Sequence, residues 1–84
     1  MEMTDDSERP EKHSLTLRGH RTSVTLERPF WDAFREIARA EGRAVNALAA
    51  EIDAARAPGA GLASAIRLHV LAWHRARLRE PRDG

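Results

Sequence analysis

Cysteine and tyrosine are absent from the 84 residues, and lysine occurs once, at Lys12. Without Cys the chain can form no disulfide framework and no thiolate metal site, and it suits a reducing compartment. Large apolar side chains are also scarce: 15 of the 35 apolar residues are Ala. With Met1 and Met3 set in a polar N-terminus, the remaining core is thin, which points to an oligomer. No apolar run nears the roughly 20 residues that span a bilayer. The first dozen residues lack the apolar stretch of a signal peptide. These absences predict one soluble cytoplasmic domain with no membrane partner.

Charge is present but unevenly spread. The net charge is +1, yet residues 1–11 hold five acidic side chains against Arg9 alone. The rest of the chain is basic, and 13 of the 14 basic residues are Arg, whose planar fork suits phosphate and guanine. Residues 1–12 have no hydrophobic period and read as a disordered acidic tail. Residues 13–80 read as the folded domain, and 81–84 as a frayed end.

Within that domain, His13 to Glu27 is the stretch with strand character. Leu15 and Leu17 alternate with polar neighbours, and Gly19 interrupts. Arg21 to Glu27 then alternates as a half-buried strand does, with Val24 and Leu26 on one face and Arg21, Ser23, Thr25 and Glu27 on the other. Pro29 then suits the first turn of a helix. Phe30, Phe34, Ile37 and Ala38 follow at helical spacing, up to Gly42 as a natural stop. A second helix spans about Ala44 to Ala57, with Val45, Leu48, Ala49 and Ile52 on one face. After the break at Pro58-Gly59, a third helix carries the stripe Leu62, Ile66, Val70 and Trp73. Leu68, Leu71, Ala72 and Leu78 read as broadening that stripe.

The order is mainly α with one N-terminal β-strand. A lone strand needs a mate. The short arm Leu15–Leu17 could fold back on it through Gly19-His20. The cleaner solution is a second copy paired antiparallel across a two-fold axis. The ribbon so formed turns Arg21, Ser23 and Thr25 outward, and a two-stranded ribbon of this kind fits the major groove of B-DNA. Arg can bond guanine O6 and N7, and Ser or Thr either type of base edge.

The run Gly19-His20-Arg21-Thr22-Ser23-Val24-Thr25-Leu26-Glu27, then Phe30-Trp31, Ala38, Gly42, Asn46-Ala47-Leu48 and Glu51-Ile52-Asp53, resembles the ribbon-helix-helix proteins of the MetJ/Arc/CopG-type superfamily. Ser64-Ala65-Ile66-Arg67 resembles the third-helix segment of one bacterial family within it. The resemblance covers about residues 14–78. It implies an intertwined homodimer with an extra C-terminal helix, acting as a transcriptional regulator on double-stranded DNA. It implies base contacts from Arg21, Ser23 and Thr25, and a phosphate held by Ala44, Val45 and Asn46 at the start of the second helix, where anions are generally favoured. Arg43 is added as the best-placed neighbouring cation. Ala44 departs from the Ser or Thr that often caps this helix.

No cofactor, metal site or catalytic constellation emerges. His69 and His74 lie five apart, off a common helical face, and no P-loop or Ser–His–Asp order is present. An enzyme is not expected. The alternative function is a protein-interaction module, of antitoxin or adaptor type, docking a partner through Leu68, Leu71 and Trp73.

Overall fold

Two strands, β1 (Pro10–Leu17) and β2 (His20–Glu27), precede three helices, α1 (Arg28–Ala40), α2 (Val45–Ala55) and α3 (Leu62–Arg79). The computed structural model describes residues 9–79. The tail reading for residues 1–8 and the frayed end at 81–84 lie outside these residues.

β1 and β2 pair antiparallel, from Pro10 opposite Glu27 to Leu17 opposite His20. Arg18 and Gly19 form a two-residue loop with φ of 54° and 85°. Two left-handed residues in succession make the turn whose twist matches that of the flanking strands. Gly19 takes this conformation freely because it has no Cβ.

The preferred expectation, that the strand's mate lies in a second copy, is corrected here in favour of the fold-back through Gly19, and the hairpin reaches into the stretch assigned to the tail up to residue 12. The mate of β2 is β1 of the same chain, and it begins at Pro10. Alternation hides the outer half of β1 because its inner face is polar there. Glu11 there accepts two hydrogen bonds from the Arg28 guanidinium, 3.1 and 3.3 Å long. His13 stacks on Trp31 with ring centroids 4.2 Å apart. Only Leu15 and Leu17 supply apolar side chains from this strand, and Leu15 is buried beside Val24 and Leu26.

α1 starts at the strand's end, with Pro29 in its first turn and Glu27 as its N-cap. It buries Phe34, Ile37 and Ala38. It ends in a Schellman arrangement. The Arg43 N–H donates to the Ala38 carbonyl at 2.9 Å and the Gly42 N–H to the Arg39 carbonyl at 3.0 Å. Gly42, with φ 67°, supplies the left-handed residue this stop requires. α2 then buries Leu48, Ala49 and Ile52, and α3 buries Ile66 and Val70.

All these side chains meet in one core between the ribbon's inner face and the helices. Phe34, Leu26, Ile37, Leu48 and Ile66 are its largest fully buried members. Each contributes about 1.5–3 kcal/mol by leaving water. α3 is locked to the rest by two polar clamps. Arg67 donates to both carboxylate oxygens of Glu27, at 3.0 and 3.1 Å. Trp73 Nε1 donates to Glu41 at 3.1 Å. A second correction concerns α3: Leu68, Leu71 and Leu78 do not broaden its core stripe but stand 66%, 51% and 84% exposed.

Candidate nucleic-acid interface

The ribbon's two faces differ sharply. In an antiparallel pair, opposed residues point to the same side and alternate along each strand. Val24 and Leu26 go inward, so Arg21, Ser23 and Thr25 go outward, and all three are exposed. The register sets Thr16 opposite Arg21, Ser14 opposite Ser23 and Lys12 opposite Thr25. These three residues of β1 are exposed as well. The outer face is therefore a double row of four hydroxyls and two cations, with no carboxylate and no large apolar group among the six. Lys12, Ser14 and Thr16 are left out when β2 is paired with a second copy in preference to the fold-back arm. The signal available is the echo of one strand in the other, Lys-His-Ser-Leu-Thr-Leu before Arg-Thr-Ser-Val-Thr-Leu.

At the ribbon's far end Glu27 would be the first acid to intrude. It is drawn instead to Arg67. Its carboxyl lies below the ordinary carboxylate range, chiefly through its own backbone N–H and next through hydrogen bonding to Arg67. Its charge is thus taken up within the protein rather than offered to a ligand.

The start of α2 adjoins the ribbon. The backbone N–H of Thr16 donates to Asn46 Oδ1 at 3.1 Å, across 30 residues of sequence. That N–H is free to do so because the two-residue loop makes Leu17 and His20 the hydrogen-bonded pair. Thr16, one residue earlier, then directs its N–H out of the ribbon. Asn46 thus caps the edge of β1 with its oxygen and retains its amide NH₂ as a donor.

Ala44 is the N-cap of α2 in extended conformation, with no side-chain cap bond. The first-turn N–H groups of α2 that have no helical partner sit beside a solvent-open hollow lined by Arg35, Arg39, Arg43, Ala44 and Val45, together with Asp32 and Glu36. Arg43 is not a free cation. It pairs with Glu51 and lies 3.7 Å from Glu41. An anion at this helix start would have to compete with Glu51 for Arg43. Arg21, Ser23, Thr25 and the α2 start are thus linked through one strand, with Arg43 turned toward its own acids.

The four histidines do not converge. Among the described residues no group of three or more His, Cys, Asp or Glu could hold a metal ion. No helix there is long and apolar enough to cross a membrane.

A family model described as a ribbon-helix-helix domain matches residues 10–74. Among solved structures, an uncharacterized protein from Bordetella pertussis Tohama I resembles the chain with a TM-score of 0.71 at 30% identity. The match covers 96% of this chain and 70% of that one. No curated protein matches.

Proposed function

The chain belongs to the ribbon-helix-helix domain family, and on that premise we propose that it is a sequence-specific DNA-binding regulator of transcription. Its ribbon enters the major groove of double-stranded DNA. The observation that carries this reading is the outer face of the ribbon, where Lys12, Ser14 and Thr16 stand opposite Thr25, Ser23 and Arg21. A two-stranded ribbon matches the roughly 12 Å groove in width. Arg21 is the bidentate reader of guanine, and the hydroxyls let the backbone approach the base edges. The N–H groups of Val45 and Asn46, with Ala44 leaving the space open, hold a flanking phosphate. Arg43 joins them when it exchanges Glu51 for that phosphate.

The protein acts as a homodimer. Loop geometry turns the main-chain groups of Arg21, Ser23 and Thr25 toward the outer edge of β2, where no strand lies among the described residues. Such an edge is a template for another strand. Two copies meeting there about a two-fold axis make a self-complementary interface. The two β2 strands, with Arg21, Ser23 and Thr25 of both chains, are then the two-stranded ribbon that enters the groove, and the flanking β1 strands hold Lys12 outside it toward the phosphates. The role is non-catalytic and belongs where bacterial DNA is, in the cytoplasm.

Selection from a random duplex pool, followed by titration of the selected duplex at two salt concentrations, tests the reading. An enriched motif and a steep loss of affinity with salt are expected. A pool that emerges unenriched, with no binding at either concentration, removes it.

A further inference from the structure

α3 has two apolar sides. Ile66 and Val70 face the core. About half a turn around the helix, Ser64, Leu68, Leu71, Arg75 and Leu78 recur at intervals of four, three, four and three residues. That is the spacing of a coiled-coil seam. Its three leucines are the large hydrophobic residues that stand exposed among the described residues. Next to Leu68 the surface dips into a mostly apolar groove between α2 and α3, floored by Ile52, Ala55 and Ala65. An intramolecular duty does not explain the seam, because the clamps of α3 use Arg67 and Trp73 instead.

We propose that this seam docks an acidic amphipathic helix of another protein, one with an apolar stripe at heptad spacing flanked by carboxylates. The charge of α3 selects this occupant. The helix holds Arg67, Arg75, Arg77 and Arg79 and not one carboxylate in its eighteen residues. Arg67 is bound to Glu27, and Arg77 lies over the Trp73 ring, 4.6 Å from its centroid. Arg75 sits within the seam itself. A second copy of α3 laid against the first would bring Arg against Arg and gain no opposite charge, whereas glutamates beside a leucine stripe would complete both the apolar and the ionic contact. The core separates the seam from the ribbon's outer face, so both can be occupied together. The proposal does not depend on DNA binding.

The test uses the full chain without DNA and a synthetic helix of about three heptads, with Leu at the two seam positions and Glu at the flanking ones. A twin peptide with Lys at the flanks is the control. Calorimetric titration is expected to show binding of the Glu peptide and at least about tenfold weaker binding of the Lys peptide. Arg75→Glu, an exposed change that leaves the fold intact by circular dichroism, is expected to reverse the preference. Leu71→Glu is expected to abolish both. Equal binding of the two peptides, or binding of neither, overturns the proposal. So does a sedimentation mass that falls by half in Leu71→Glu while the Glu peptide leaves the wild type unbound, since that result assigns the seam to a second copy.

Discussion

At the scale of single residues, the two cations of the ribbon face have different work. Arg21 has a planar fork that matches guanine, and Lys12 is a point charge on a flexible stem. Arg21→Ala is expected to weaken binding to the selected duplex by about 1–3 kcal/mol and to relax sequence preference at one position. Lys12→Ala is expected to weaken all duplexes alike and to flatten the salt dependence. Parallel titrations of the two variants against selected and scrambled duplexes separate these effects. A third charged group, Glu27, carries a pH signature. Its carboxyl titrates below the unfolded value because the folded state favours its anion. The stability it contributes is therefore complete above the ordinary carboxylate pKa and is lost as pH falls through the lowered folded value. Thermal melts between neutral and strongly acid pH are expected to show a steeper loss in the wild type than in Glu27→Gln.

At the scale of elements, legibility follows chemistry. β2 can be read because Val24 and Leu26 alternate with polar neighbours, and α1 because Phe34, Ile37 and Gly42 mark its face and its stop. β1 can be read only next to the loop, where Leu15 and Leu17 alternate with polar neighbours; farther out, Glu11 and His13 occupy inner positions that alternation assigns to apolar residues. Their partners, Arg28 and Trp31, are known only once the chain has folded. The exposed side of α3 escapes the sequence for a related reason. A helix with leucines on both sides gives no signal of which side meets the core. The start of α2 falls close to its expected place, but Arg43, expected to face a ligand, is taken up by Glu51 eight residues on. The bare cap at Ala44 supplies a clean check. Its backbone already has the extended N-cap conformation, so Ala44→Ser is expected to raise stability by about 1 kcal/mol in denaturant unfolding.

At the scale of the whole molecule, the intramolecular pairing changes what a core substitution means. Val24 is 5% exposed within a single chain, packed with residues of both strands and all three helices. If β2 found its mate only in another copy, a charge at Val24 would simply split the dimer. In the folded chain it would bury an unpaired carboxylate in the only core among the described residues. Val24→Glu is therefore expected to abolish the cooperative melt itself, with far-UV circular dichroism as the readout, rather than to release a folded monomer.

The closed hairpin at Arg18-Gly19 has a consequence for very dilute protein. Every chain carries its own β2 row already folded and backed by β1, whether or not a companion is present. Dilution past the point where copies separate should thus leave a weak, half-length footprint on the duplex instead of erasing recognition, and the binding isotherm should show that residual step at its foot.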